Sequence, residues 1–525
     1  MARFDVTIVG MGPVGAVIAC LLARAGLSVA ILDREQAIYD KPRAIVLDHE
    51  ALRVLQFAGI DRGFFESVTP HTGTDFIGVD GQLIKLFDPK PPPFELGWPP
   101  NVMFIQPELE AALAEAMARD PRIMCCRGWA VTDIRQDEQG ATVEAVDDRG
   151  QVQRLDAGWV IGADGANSIV RARMGADVED LDFAEWWIVI DAWLTADTPL
   201  PHKTTQYCQP RRPATYVVGP GKLRRWEIKL LPGERPETFQ DSAQARALLA
   251  HYVDVDALDL WRTAVYRFQA VVADRWREGR LLIAGDAAHT MPPFLAQGLC
   301  AGIRDAINLA WKLALVARGA ATPALLDSYQ VERKPHVAEI VRHAKEFGLI
   351  IGELDERRAR KRDERLGEQL RSGSVPTDRQ SFVPNLRDGL IDSVAPAAGE
   401  LFVQPRIAVA GDEALLNDVI GPDFLIIATV AEALKLDETL KDGWSRLGGR
   451  LLLLGDSLVE VDGLIAGWLE RQGAVAVIVR PDGYVYGAAR APGDVADMVA
   501  RIVAALDPGT PGAADRGPAG MGEAA

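Results

Sequence analysis

The chain has 525 residues, 48% hydrophobic and 25% charged, which is ordinary globular composition with room for several domains. Its formal net charge of −17 argues against a phosphate-binding face of clustered Lys and Arg, so no nucleic-acid partner is expected. No charged leader precedes an apolar stretch and no run of about 18 apolar residues occurs, so the expectation is a cytoplasmic protein with no membrane partner.

Residues 4–9 form a short apolar run that reads as a buried parallel strand, and Gly10-Met11-Gly12-Pro13-Val14-Gly15 follows at once. Gly10 suits the tight turn, Gly12 the approach of a pyrophosphate, and Gly15 close helix packing. Val14, Ile18, Leu21, Leu22 and Ala25 are spaced for a helix that Gly26 ends. The N-terminus of that helix offers unpaired N–H groups to a diphosphate. Residues 28–32 give a second strand, closed by Asp33 with Arg34 beside it. Asp33 stands about 20 residues on, where an acid binds a ribose hydroxyl. Pro107 and Glu108 mark a helix start. A second nucleotide-type loop is Gly162-Ala163-Asp164-Gly165-Ala166-Asn167-Ser168, with Arg171 beyond it.

From about 180 the character changes to aromatic and β-branched runs: 186–190, 215–218 and 226–230. A third loop, Gly285-Asp286-Ala287-Ala288-His289 with Pro292 and Pro293, follows the apolar run 280–284. Two long helices are expected at about 300–318 and 323–350. Residues 353–371 are dense in charge and read as a solvated helix face and linker. From about 400 a separate small α/β pattern begins, and the last residues are rich in Pro, Gly and Ala. The five cysteines, Cys20, Cys125, Cys126, Cys208 and Cys300, show no metal-ligand spacing, so free thiols and no metal are expected, with Cys125 and Cys126 on opposite faces of a strand. One glycine loop is a weak signal, but three in this order and spacing point to one bound FAD.

With these motifs the chain resembles the flavoprotein aromatic hydroxylases of the para-hydroxybenzoate hydroxylase type, over residues 1 to about 345. Within that group it is most similar to the 3-(3-hydroxyphenyl)propionate hydroxylases, on stretches such as Pro42-Arg43-Ala44-Ile45, Asp48-His49-Glu50 and Glu185-Trp186-Trp187. The resemblance implies an α/β fold: a Rossmann-like FAD-binding domain (1–180 and 275–350) with an inserted β-rich substrate domain (181–274). A charged linker (351–399), a C-terminal thioredoxin-like domain (400–506) and a disordered tail (507–525) complete it. No Cys follows Cys300, so that last domain lacks dithiol chemistry and is a packing or dimer element.

By resemblance, FAD is held by Gly10, Gly12, Pro13, Val14, Gly15, Asp33, Arg34, Arg43, Gln106, Asp164, Gly165, Gly285 and Asp286. Backbone N–H groups of Gln297, Gly298, Leu299 and Cys300 should meet the flavin pyrimidine edge. NADH or NADPH would reduce the flavin, O2 would add, and a flavin C4a-hydroperoxide would hydroxylate a small phenol. Asp48 and His49 are candidate bases, Tyr207 and Tyr216 candidate phenol partners, and Pro292 and Pro293 candidate walls. A carboxylate on the substrate needs a cation, and Arg211, Arg212, Arg224 and Arg225 are the clusters considered. Two departures stand out: Ala296 where the family commonly has glycine, and Cys300 where relatives have asparagine. A flavin-dependent halogenase lacks its tryptophan-rich motif and lysine here; a non-catalytic flavoprotein or binding module is the other alternative.

Overall fold

In a computed structural model, residues 3–240, 242–409 and 411–507 are described. The expected tail lies, from residue 508, outside them. The first sheet has a parallel core in the order Leu281–Ile283, Val152–Gly162, Arg3–Val9, Val29–Asp33, Ile123–Arg127, with Arg277–Glu278 antiparallel at one edge and the hairpin Ala130–Gln136 and Ala141–Val146 antiparallel on Val152–Gly162. Val6, Ile8, Ile31 and Val160 are fully buried, as strands covered on both faces require. Helix Pro13–Arg24 follows the first strand and presses against the helix Gly298–Ala317. Close approach is set by glycine. A Cβ at Gly10 (φ +100°) would lie 2.3 Å from the Ala163 carbonyl oxygen, and one at Gly15 would lie 2.0 Å from the Gly10 oxygen. Cys125 is exposed and Cys126 buried on their strand.

The second sheet runs His289–Thr290, Leu258–Ala273, Val178–Leu194, Leu223–Lys229, Ala214–Val218, Thr204–Tyr207, Thr74–Ile77, Leu83–Phe87. Its last two strands come from the first segment of the chain rather than from 181–274, with Thr204 paired in parallel to Thr74. Both faces are covered. One packs Ile188, Ile190, Tyr216, Trp226 and Ile228 against Phe239, Ala245 and Leu249; the other looks toward the first sheet.

Helices Gly298–Ala317 and Asp327–Ile351 are close to the expected ranges. The charge-dense segment is the helix Glu356–Arg371, exposed on most of its surface but burying Ala359, Arg362, Asp363 and Leu366. It is a docked helix, because Asp363 accepts the Val79 N–H at 2.7 Å. The C-terminal unit has the strand order Arg450–Leu453, Leu425–Ala428, Ala476–Val479, Val485–Ala489, parallel at the first pair and antiparallel after it. Among the described residues no helix is long and apolar enough to cross a membrane.

Candidate active site

A cavity of about 810 Å³ opens between the two sheets and joins all three loops. Gly10, Gly12, Pro13 and Val14 line one end, with Asp33 and Arg34. Gly12 caps the helix Pro13–Arg24 with no side-chain bond to its free N–H groups, and a Cβ there would meet nothing within 4 Å. That open helix N-terminus is a ready anion cradle. Asp33 fixes the loop, accepting Met11 N–H at 2.7 Å and Glu35 N–H at 2.9 Å. Gly15 and Gly285 stand behind the lining and act through packing, Gly285 (φ +60°) against Val14.

Asp164 and Asp286 line the same space. Asp164 Oδ2 accepts the Ile169 N–H at 2.7 Å, while Oδ1 is buried without a hydrogen-bond partner. Asp286 has no hydrogen-bond partner among the described residues. Enclosure pushes both carboxyls up, and at Asp286 the charges of His289 and Arg43 only partly offset it. A buried unpartnered oxygen on Asp164 and an unpaired carboxylate on Asp286 open to the cavity, with a free helix N-terminus, fit a ligand that brings hydroxyls and a diphosphate, as FAD does. Gly298 and Leu299, at the start of the helix Gly298–Ala317, line the cavity beside Gly165 and Pro293.

Several expected residues hold other positions. Gln106 does reach the wall, but its Oε1 accepts Arg43 and Ala44 N–H groups (3.2 and 2.6 Å) and its Nε2 donates to Glu110 (2.7 Å). It positions the Arg43 loop, and Arg43 itself lies over the Tyr39 ring. The Gln297 side chain turns away to Asp48 (3.1 Å) and Arg304 (2.9 Å), and Cys300 is buried behind the wall; only their backbone N–H groups belong to the helix start. Pro293 lines the cavity and Pro292 does not.

Asp48 is no catalytic base. It is fully buried, caps the helix His49–Ala58 through the Ala51 N–H (2.9 Å) and pairs with Arg304 at 2.5 Å. Burial raises its carboxyl, but Arg304 and that N–H hold it below the ordinary range. His49 is also off the cavity, with burial pushing its imidazole down to about 4.

Strand parity overturns the tyrosines and Arg224, and Arg211 and Arg212 lie in the turn between the strands Thr204–Tyr207 and Ala214–Val218, off the cavity. Successive side chains of a strand face opposite ways. Gln206, Thr215, Val217, Arg225 and Glu227 face the cavity, so Tyr207, Tyr216 and Arg224 face the outer core. Tyr207 packs on Tyr252 with ring centres 5.5 Å apart. Arg224 bonds the Leu223 carbonyl (2.7 Å), Arg212 makes a two-pronged pair with Glu234 (2.7 Å each), and Arg211 is exposed. Arg225 lines the cavity, yet its guanidinium is spent on Asp191 (2.7 and 3.3 Å) and on the Arg43 carbonyl (2.8 Å). It braces the loop carrying Arg43 rather than offering a free cation. Across the inner face, Gln206, Thr215, Glu227 and Val189 form one register row. Thr215 donates to Gln206 at 2.5 Å, and burial raises the Glu227 carboxyl, though Arg225 draws it back in part. Residue types alone missed Gln206, Glu227, His71 and Arg379, all on the wall.

The cradle and the paired sheets define a FAD-binding enzyme class with a substrate layer. Residues 3–344 match the FAD binding domain family, and residues 399–505 match the HcaD C-terminal domain. A probable NADH-specific resorcinol 4-hydroxylase of Rhodococcus jostii (strain RHA1) is 34% identical, covering 96% of this chain and 95% of that one. A 3-(3-hydroxy-phenyl)propionate/3-hydroxycinnamic acid hydroxylase of Comamonas testosteroni is 31% identical, over 92% of this chain and 93% of that one. Aklavinone-11 hydroxylase, solved with FAD and aklavinone, matches with a TM-score of 0.76 at 22% identity, covering 96% and 99% of the two chains. The OxyS anhydrotetracycline hydroxylase from Streptomyces rimosus gives 0.78 at 23%, covering 97% and 100%. The chain belongs to the FAD-binding aromatic hydroxylase family; it is a flavin-dependent monooxygenase.

Proposed function

We propose that this enzyme hydroxylates a single-ring phenol, of the kind named for its resorcinol and 3-hydroxyphenylpropionate relatives, with NADH as reductant. The observation that carries the reading is the single cavity joining the glycine loop, Asp164, Asp286 and the inner face of the second sheet. Gly10, Gly12, Pro13 and Val14 would cradle the FAD diphosphate, with Arg43 nearby. Asp33 and Arg34 would meet the adenosine ribose, and Asp286 the ribityl hydroxyls. Asp164 and Gly165 would border both FAD and the nicotinamide. Gly298 and Leu299 N–H groups would face the flavin pyrimidine edge, where negative charge develops. When bound and reduced, the flavin supplies the oxygen chemistry that places a hydroxyl on an aromatic ring.

The protein's own part is to seat the ring, exclude water and take a proton. Val189, Val217 and Phe294 offer apolar wall, and Pro293 stiffens the turn beneath. Glu227 is the carboxylate this face presents, beside Thr215 and bounded by Arg225, Asp191 and Arg262; it takes the role of proton acceptor expected of Asp48 and His49.

The domains follow as 1–180 and 275–350 for FAD and 181–274, with 74–87, for substrate. The strand order of the C-terminal unit supports a thioredoxin-like reading, and its burial against the FAD-binding body supports a packing element over a dimer surface. Free cysteines support a cytoplasmic setting.

The test is NADH oxidation by purified flavoprotein across phenols with and without carboxylate side chains, with NADPH in parallel and products identified by mass. Stimulation by phenols with a ring-hydroxylated product is expected, and Glu227→Gln should slow product formation at unchanged flavin content. Oxidation indifferent to every phenol would leave a flavoprotein of another function.

A further inference from the structure

Arg379 lies in the short 3-10 turn Arg379–Phe382, within the segment expected to be linker. That turn is pinned to the body. Gln380 donates to the Pro100 carbonyl at 2.7 Å, the Asp88 N–H to the Thr377 carbonyl at 2.9 Å, and Lys90 pairs with Asp378 at 2.8 Å. The turn delivers the Arg379 side chain, 7% exposed, into the cavity wall.

A buried guanidinium is costly unless a carboxylate meets it. None does here among the described residues. Arg379 donates one bond, to Thr74 Oγ1 at 2.8 Å, and lies over the Phe87 ring at 5.6 Å. The acid next to it in sequence, Asp378, is already occupied by Lys90 and by the Gln380 N–H. Burial pulls the guanidinium down to about 10, which leaves it charged at neutral pH.

The neighbours are built to accept an anion rather than to supply one. His71 lines the cavity beside Arg379. Its Nδ1 accepts the Gly73 N–H at 2.9 Å, so the proton of the neutral ring sits on Nε2, 3.3 Å from Thr204 Oγ1. Burial and the Arg379 charge keep this ring neutral. Thr204 and Gln206 continue the polar wall toward Thr215. Among the described residues no carboxylate enters this corner, so the remaining guanidinium donors face the cavity.

We propose that Arg379, supported by His71, is the substrate's oxyanion site and makes the enzyme select phenols that carry an anionic oxygen group. This rests on the proposed function and names its substrate class. The shared chemistry is an oxyanion, either a side-chain carboxylate or the phenolate. A carboxylate would use the planar fork in full.

The experiment measures equilibrium binding to the oxidised holoprotein without NADH, by flavin absorbance, so that it stands apart from turnover. The probes are 3-(3-hydroxyphenyl)propionate and its carboxamide, with wild type, Arg379→Met and Arg379→Lys. If a carboxylate is bound, Arg379→Met weakens the acid by roughly ten- to a hundredfold and the amide far less, and Arg379→Lys recovers part of the loss. If the phenolate is bound, acid and amide weaken alike and the pH at which the bound phenol ionises moves up. Equal weakening with no such pH change, or no change in either probe with flavin retained, overturns the proposal. Melting temperature is a second readout. Removing a buried cation without a partner should leave it unchanged or raise it, and a large fall would assign Arg379 to structure instead. Wild-type protein that binds the acid but hydroxylates no phenol would sink the proposed function while leaving this site standing.

Discussion

Arginine is buried in two regions of this molecule on opposite terms. At the seam with the C-terminal unit, Arg480 meets Glu332 at 2.7 Å and Asp482 at 2.5 Å, and Lys312 joins Glu332 at 2.6 Å. Nearby, Arg304 bridges Asp48 and Glu50, and Tyr484 donates to Glu50 at 2.9 Å. In the cavity, Arg379 meets no carboxylate among the described residues. Burial pulls both guanidinium groups down, but Asp48 and Glu50 carry Arg304 far above its usual value, and no carboxylate does so for Arg379, where Cys300 offsets burial only in part. What sets Arg379 apart is the cavity: Arg53 at the seam also lacks a carboxylate pair among the described residues and is also drawn down to about 10, but Asn417 and the Phe402 carbonyl hold it off the cavity that Arg379 lines. The seam also shows the C-terminal unit to be part of the body's interior, since Asp482 reaches Asn308 (2.9 Å) and Trp311 (3.2 Å) of the helix Gly298–Ala317.

The strongest way to break this comparison is Glu332→Ala. Burial alone would raise the Glu332 carboxyl, but Arg480 and Lys312 hold it well below the ordinary range. Removing it strands Lys312 and leaves Arg480 with Asp482 alone, and should cost about 3–5 kcal/mol, read as a lowered urea midpoint. An unchanged midpoint would mean the seam network contributes no stability.

Asp286→Ala tests the cavity side. The mutant should fold but lose FAD on gel filtration, with affinity down roughly ten- to a hundredfold. Full flavin occupancy would remove Asp286 from the site.

Acid should act first on the histidines rather than on these carboxylates. His49 is held near 4, and His71 and His336 well below the ordinary value, each by burial first. Their unfolded forms take protons near 6.5 and the folded ones do not, so stability falls as pH drops from about 6.5 toward 4. Each contributes about 1.4 kcal/mol per pH unit in that window. His49→Gln should flatten the melting-temperature slope between pH 6.5 and 5 by one proton's worth. A slope equal to wild type would place the His49 proton elsewhere.

The smallest effect concerns Ala296, which lines the cavity in the left-handed region at φ +54°. Glycine would relieve about 1 kcal/mol of strain and lose a similar amount to the unfolded chain, so stability should move by less than about 0.5 kcal/mol. The looser loop should admit water and release more peroxide per NADH consumed. An unchanged ratio of product to NADH would make the substitution neutral.

The three loops were legible because glycine positions and strand–turn–helix order carry them, and Gly10, Asp164 and Asp286, one from each, line one cavity. The substrate half was not. The strand Leu223–Lys229 is buried on nearly every residue, so no hydropathy contrast tells Arg225 and Glu227 from Arg224 and Trp226. Tyr207 and Tyr216 were attractive by type and wrong by parity. Asp48 sits one residue before a helix, where an N-cap is the commoner role for aspartate. Arg379 lies in a stretch with no periodic pattern, and only its docking reveals it. The seam ions lie on helices such as Gly298–Ala317, whose polar positions would read as a wet face until the C-terminal unit covers them.

The most direct measurement of the central claim is the source of the oxygen in the product. Purified protein with FAD, NADH and its best phenol should be run under 18O2 in ordinary water. The account predicts one heavy oxygen in each hydroxylated product, formed only while NADH is consumed. A product carrying oxygen from water, or NADH consumption that a phenol neither speeds nor couples to product, would contradict it.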